Sequence, residues 1–531
     1  MSAQPKVLIA DKMSPEAASI LSDRGVDVEV STGLAPEALI ELIGGYDGLL
    51  VRSSTKVTAE VLGAADRLKV IGRAGIGVDN VDVAAATAKG VVVMNTPFGN
   101  AVTTAEHAIA MMMTLARQIP TADRSMRAGK WEKSKFVGVE LAGKTLGLVG
   151  CGNIGSIVAS RAQGLRMRVI VADPFLSAKR ARELGVERVE LADLMRRADF
   201  ISAHAPLNDT TRGIVGAAEI AVARDGVRII NCARGGIVDE TALHDGLVSG
   251  KVAGAALDVF SVEPPQDNPL TILDNVVMTP HLGASTAEAQ EKVAQQVAEQ
   301  AADFLLSGAV SNAINMPSIT AEEAPLLQPY MALADYLGSF AGQLTRSGIT
   351  AVGIEYEGHV ADLNTRPLTA VVLAGLMRPM VDSVNAVNAP VVAQQRNIAV
   401  SETRHDRRGD YPTCMRVTVT TDRRSREVAG TLFADDRARI VSIKGIRMDA
   451  EPTPHMLYIA NSDVPGIIGF LGNTLGEAGV NIATFALGRA EAGGDAIALI
   501  SIDQALDAAT LAAIRAHEGI SQAASLRFDT D

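Results

Sequence analysis

The chain has 531 residues, room for about three to four domains at about 150 residues each. Hydrophobic residues make up 47% and charged residues 21%, which excludes disorder as the main state, while aromatics at 3% point to cores of Ala, Val, Ile and Leu. A net charge of −12 repels nucleic acid and anionic membrane, so neither is an expected partner and an anionic ligand needs a local basic pocket.

The start, MSAQPKVLIADKMSPEA, runs straight into a strand-like VLIA and does not read as a signal peptide. The most apolar long segment, 108–115, is too short to span a bilayer, so a soluble chain is expected. Cys151, Cys232 and Cys414 are too few and too scattered for a disulfide framework or a thiolate zinc site, which fits a reducing cytoplasm and no metal. Cys151 and Cys232 sit among small residues at strand ends and read as buried, inert thiols.

From residue 6 to 97, short apolar runs (VLIA, VDVEV, DGLLV, LKVIG, VVVMN) alternate with helix-like stretches such as PEALIELIGG. That rhythm predicts a parallel sheet covered by helices. A second set follows: TLGLVG, VIVAD, FISAH, VRIINC, GAALDV and VVMTP. Two helical segments, 103–118 and 285–306, are placed to connect the units, the second returning the chain to the first. The fold class is therefore α/β, with two Rossmann- or flavodoxin-like lobes of which the first is discontinuous.

Beyond residue 316 the pattern is α+β: helical 326–345, strand-like TAVGIEYEG, helical 367–380, then strands around CMRVTVTT and REVAGTLF. A last unit from His455 reads strand, helix, strand, strand, helix, strand, the ferredoxin-like βαββαβ order. The expected division is 1–98 with 285–315, then 99–284, 316–452 and 453–531.

Gly150-Cys151-Gly152-Asn153-Ile154-Gly155 matches G-x-G-x-x-G between a strand and a helix. The first glycine permits the turn, the second lets backbone approach a pyrophosphate, and the third lets helix and strand pack closely. The next strand ends in Asp173, about 20 residues on, where an acid reaches the ribose hydroxyls and repels a 2′-phosphate, so NAD is favoured over NADP.

Three residues fall at the carboxyl ends of later strands, where open α/β sheets bind ligands: Arg234 in NCARGGIVDE, Glu263 in VFSVEPP and His281 in TPHLGAST. Oxidising a secondary alcohol needs a base near neutrality, which suits His281. A neighbouring Glu263 would fix its tautomer, and Arg234 would hold a substrate carboxylate. Arg52 and Arg73 follow strands of the first unit and could hold a phosphate. His107 and His204 read as structural or cofactor-adjacent.

The blocks GCGNIG with Asp173, NCARGGIVDE, LDVFSVEP and TPHLGAST resemble the signatures of the D-2-hydroxyacid dehydrogenases. With VRSSTKV, GRAGIGVDNVD and the C-terminal unit, the whole chain is similar to the long-form members that carry an intervening domain and an ACT domain. The resemblance implies NAD-dependent oxidation of 3-phospho-D-glycerate to 3-phosphohydroxypyruvate, the first step of L-serine biosynthesis, by a homodimer or homotetramer. It implies Arg234, Glu263 and His281 as the catalytic set. It implies NAD contacts at Ile76, Asn153, Ile154, Asp173, Ala205, Cys232, Ala233, Asp258, Leu282, Gly283 and Ala284, beside the three glycines. It implies substrate contacts at Arg52, Ser53, Arg73 and Gly75, shared with Arg234 and His281. In the ACT-like unit, Asn461, Asp463 and Asn481 would bind a serine effector, the alternative being a capping Asp and a turn-forming Asn. In the middle unit Arg439, Lys444 and Arg447 could hold a phosphorylated anion, or form a solvated face on edge strands. Two other functions stay open: a glyoxylate or hydroxypyruvate reductase, and a dinucleotide-sensing protein like the corepressors that share this fold.

Overall fold

The computed structural model describes residues 4–381, 383–405, 409–433 and 436–528. Runs such as GLLV and VVMN are buried at every position, as strands covered by helices on both faces must be. Five of these runs form a parallel sheet in the order Asp27–Val30, Lys6–Ile9, Gly48–Val51, Val70–Arg73, Val92–Asn95. This is the flavodoxin-like order.

The second sheet has seven parallel strands: Val276–Met278, Val252–Leu257, Val227–Asn231, Phe200–Ala203, Thr145–Val149, Arg168–Ala172 and the two-residue Glu187–Arg188. Strand order reverses between Thr145–Val149 and Phe200–Ala203, and a crevice opens there at the carboxyl ends. The helix Ala101–Ala116 buries Met111, Met112 and Leu115 against this sheet. It stops two residues earlier than its apolar pattern suggests, because Gln118 takes a left-handed φ of 51° and a separate helix, Ile119–Arg127, follows.

The long helix Ala287–Ser307 starts with Thr286 accepting the Ala289 N–H at 3.2 Å. Its buried face of Val293, Ala294, Val297 and Ala298 packs on Val7, Ile9 and Leu50 of the first sheet, so the chain does return to the first lobe. Each such valine contributes about 1.5–3 kcal/mol by leaving water.

The third unit packs the helices Glu323–Gln343 and Arg366–Met377 on a six-stranded sheet. Its order is Ala399–His405, Ile349–Gly358, Thr413–Thr421, Ser425–Leu432, Ala438–Ile443, Ile446–Ala450, with only the first pair parallel. Three of these strands go beyond the sequence reading, and Arg439 lies in an inner strand rather than at an edge. This unit docks on the first lobe: Asn385 and Asn388 donate to the Gly90 and Ala88 carbonyls at 2.9 and 3.0 Å. Val92 and Met94 of the first sheet share one apolar cluster with Leu333 and Phe340.

The last unit has the order Ile482–Arg489, Asp495–Ile502, His455–Ser462, Ile520–Arg527, all antiparallel, with helices Ile467–Glu477 and Ala508–Arg515 as connections. Among the described residues, no helix is long and apolar enough to cross a membrane.

Candidate active site

A cleft of about 450 Å³ lies between the two amino-terminal lobes. At its floor, Gly150 turns with φ 94°, and a Cβ there would come within 2.7 Å of the His204 carbonyl. A Cβ on Gly155 would reach 2.5 Å from the Gly150 carbonyl, whereas one on Gly152 would point into open space. The helix Asn153–Gly164 begins without a side-chain cap, which leaves its first N–H groups and positive end for an anion. Asp173 stands beside this turn, accepting from the Cys151 N–H at 2.7 Å and the Phe175 N–H at 2.8 Å. The open position at Gly152, the uncapped helix and the acid beside them fit a dinucleotide.

The cleft wall carries Ile76, Asn153, Ile154 and Ala205, and further along Cys232, Ala233, Asp258, Gly283 and Ala284. Burial raises the Cys151 thiol to about 11, with Asp173 adding to it, and pushes Cys232 higher still, so both stay protonated. Burial also holds the His204 imidazole down to about 4, so that ring is neutral; its Nε2 lies 2.8 Å from Ser202 Oγ.

Asp258, 1% exposed, follows the strand Val252–Leu257 and organises the next loop. It accepts from Thr279 Oγ1 at 2.6 Å, Leu282 N–H at 2.7 Å and Gly283 N–H at 2.8 Å, with His107 Nε2 at 3.2 Å. Burial works to raise its pKa, but the bonds from His107, Thr279 and Leu282 outweigh it and the carboxyl is held below its ordinary range. Its backbone carbonyl accepts the His281 N–H at 2.9 Å. His281 itself has a left-handed φ of 56°, a conformation costly for a residue with a Cβ and maintained by these bonds. Its Nδ1 lies 2.8 Å from Glu263 Oε2, while Glu263 Oε1 accepts the Phe260 N–H at 3.1 Å.

Across the cleft, Arg234 Nε donates to Asp79 Oδ2 at 3.0 Å, a contact between the two lobes. Arg73 lines the same wall with its Nε buried and without a partner. Burial, and then the Arg234 guanidinium, lower Arg73 to about 10; Asp79 opposes this and Arg52 adds to it. Three guanidinium groups thus share one neighbourhood. Arg52 is turned toward the first lobe, donating to the Lys12 carbonyl at 3.0 Å while its N–H binds Asp11 at 2.6 Å. Neither Arg52 nor Ser53 lines the cleft. The Gly75 N–H is bound by Thr96 Oγ1 at 2.7 Å, which shapes the turn after Arg73.

The sequence reading does not single out Asp79, Asn100, Thr104 or the joining of His107 to Asp258. Asp79 sits in GIGVDN, yet its role shows only when the lobes meet; Asn100, just before the helix Ala101–Ala116, and Thr104 in its first turn line the cleft.

In the C-terminal unit, Asp463 accepts from Arg489 Nη1 and the Gly493 N–H, each at 3.0 Å, and does not cap the helix that begins at Ile467. Asn481 donates to Asp503 at 2.9 Å. Asn461 is buried, donates to the Ser462 carbonyl and leaves its Oδ1 without a partner. In the middle unit Arg439 pairs with Glu451 at 2.9 Å and Arg447 with Asp410 at 2.7 Å, while burial lowers Lys444.

Two doubly wound lobes facing one another across a glycine-turn cleft, with a carboxylate-held histidine on its wall, define a dinucleotide-dependent dehydrogenase. Residues 109–283 match the family of D-isomer specific 2-hydroxyacid dehydrogenases, NAD binding domain, so the cofactor is NAD. Residues 326–444 match the D-3-phosphoglycerate dehydrogenase intervening domain. Among solved structures, a glyoxylate reductase from Paecilomyes thermophila is similar at TM-score 0.55 and 31% identity, covering 59% of this chain and 99% of that one. The D-lactate dehydrogenase from Aquifex aeolicus, complexed with NAD and lactic acid, is similar at TM-score 0.53 and 26% identity, covering 59% and 100%. D-3-phosphoglycerate dehydrogenase of Bacillus subtilis is 44% identical over 503 residues, covering 94% of this chain and 95% of its own length. That of Archaeoglobus fulgidus is 42% identical over 502 residues with the same coverage. The chain belongs to the D-3-phosphoglycerate dehydrogenase family.

Proposed function

We propose that the cleft oxidises 3-phospho-D-glycerate to 3-phosphohydroxypyruvate with NAD, the entry step of L-serine synthesis. The observation that carries the reading is the convergence of the His281–Glu263 pair with Arg234 and Arg73 in one cleft. Full-length relatives of that name support the phosphorylated substrate over the reductase and corepressor readings.

NAD, when bound along the glycine turn and Asp173, supplies the hydride acceptor. This chain's residues do the rest. Arg234 holds the substrate carboxylate by displacing Asp79, and its fixed fork orients the carbinol carbon. Arg73, whose buried Nε has a donor to spare, takes the phosphate with Arg52 nearby. His281 Nε2 removes the hydroxyl proton while Glu263 holds Nδ1–H and stabilises the imidazolium. Gly75 shapes the phosphate end of the site through the turn after Arg73, while Ser53, off the cleft wall, takes no part in it.

The C-terminal unit is read as an ACT domain in which Asn461, Asp463 and Asn481 would take a serine effector. The exposed apolar side chains Ile119, Met126, Trp131 and Val137 support a homodimer or homotetramer. Three unpaired cysteines support a cytoplasmic location.

The test follows NADH formation with 3-phospho-D-glycerate, D-glycerate and D-lactate, with and without L-serine. Turnover of the phosphorylated acid, slowed by serine, is expected; no turnover of it removes the reading.

A further inference from the structure

Glu263 sits in the exposed part of the loop 258–268: Asp258, Val259 and Phe260 are buried, whereas the residues from Ser261 to Pro264 are exposed. What holds the loop is a carboxylate from another part of the chain. Glu240 opens the helix Glu240–Val248, and its Oε1 accepts the Ser261 N–H at 2.5 Å and the Ser261 hydroxyl at 2.7 Å. Its Oε2 accepts from Asn268 Nδ2 at 2.6 Å. Ser261 and Asn268 stand on either side of Glu263, so one carboxylate pins both arms of the loop.

The helix does not need Glu240 as a cap, because the Asp239 side chain already accepts the Ala242 N–H at 2.9 Å. Glu240 is also absent from the wall of the main cleft; it lines a separate cavity of about 230 Å³ behind the loop, with Ser261 and Asn268. The connection that ends in Glu240 begins with Arg234, and at Gly235 it lies flat on the loop: a Cβ there would overlap the Phe260 carbonyl. The peptide between Phe260 and Ser261 is therefore pressed by Gly235 and tied by Glu240, while the N–H of the peptide before it, that of Phe260, serves Glu263 Oε1.

We propose that Glu240 is a positioning residue for the acid–base pair, fixing Glu263 against His281 and keeping that pair in register with Arg234. The proposal rests on the reading of His281 and Glu263 given above. Charge-assisted bonds at both arms restrict the loop far more than one neutral bond would, and proton transfer is sensitive to errors of about 1 Å.

Glu240→Ala in the full chain should lower kcat by about 10- to 100-fold, with KM for NAD and for the phosphorylated acid within about twofold of wild type. Glu240→Gln keeps an acceptor for Ser261 but loses the charge and the bond from Asn268 Nδ2, and its rate should fall between those of Glu240→Ala and wild type. Because Glu240 acts through Glu263, Glu240→Ala combined with Glu263→Gln should be about as slow as Glu263→Gln alone. Multiplying effects, or a wild-type kcat in Glu240→Ala beside a slow Glu263→Gln, overturns the proposal alone; a wild-type rate in Glu263→Gln removes the underlying reading as well. If Glu240→Ala does not fold, Ser261→Ala with Asn268→Ala removes the two side-chain bonds to Glu240 and leaves the one from the Ser261 N–H; a lower kcat with unchanged KM is expected, and a wild-type kcat overturns the proposal.

Discussion

The cleft between the amino-terminal lobes and the polar edge of the C-terminal unit hold their charged groups in different ways. In the cleft, Arg73 and Arg234 stand together with Asp79, Arg52 and Asp11 lie close by outside the wall, and a buried guanidinium nitrogen of Arg73 has no partner. In the C-terminal unit, Asp463 is satisfied by Arg489 and Gly493, and Asn481 by Asp503; of the three candidate residues only Asn461 keeps an orphaned oxygen. A buried cation short of partners costs free energy until an anion arrives, so the first arrangement is poised for a ligand. In the second, a ligand must first displace internal bonds, which makes any effector there weaker and easier to lose.

The comparison breaks most sharply at His281. Its replacement by Ala should lower kcat by about 10²–10⁴, read from NADH formation at saturating substrate; an intact rate would mean that the cleft does not use this base. Next, Arg234→Lys loses the planar fork and should cut kcat/KM for the phosphorylated acid by about 10- to 100-fold; steady-state kinetics would refute this by showing a change of less than twofold. Asp173→Ala should narrow the preference for NAD over NADP by about tenfold, and a ratio that does not move would detach Asp173 from the ribose.

The smallest effect belongs to the C-terminal unit. The Gly493 N–H, and then Arg489, hold Asp463 below its ordinary carboxylate value of 3.8. A depressed carboxylate stabilises the folded chain above that value and loses the contribution as pH falls through the folded pKa. Asp463→Asn should therefore lower Tm by about 2 °C or less near neutrality, the pair being largely screened by solvent, and by progressively less as pH falls below 3.8. A Tm difference that grows on acidification would contradict the assignment.

Much of this was readable from the chain because local chemistry dictates it. The glycine turn at 150–155 needs its residues for steric reasons, and buried parallel strands need unbroken apolar runs. The βαββαβ unit shows through alternation alone. The strand Ala399–His405 was not readable: it is an edge strand, exposed at six of its seven positions, so AVSETRH carries no buried face to betray it. Nor was the Asp79–Arg234 pair, which joins groups 155 residues apart and exists only because two lobes close on each other. The polar chemistry of the middle unit also hid in pairing: Arg439 looks like a free cation in sequence and is matched by Glu451 in the fold.

The central claim is that buried and crowded arginines select a phosphorylated 2-hydroxy acid. It is tested most directly by the ratio of kcat/KM for 3-phospho-D-glycerate to that for D-glycerate, measured in the native chain and in Arg73→Ala. A ratio well above one in the native enzyme, collapsing by about tenfold or more in the variant, is predicted. An unchanged ratio would contradict it.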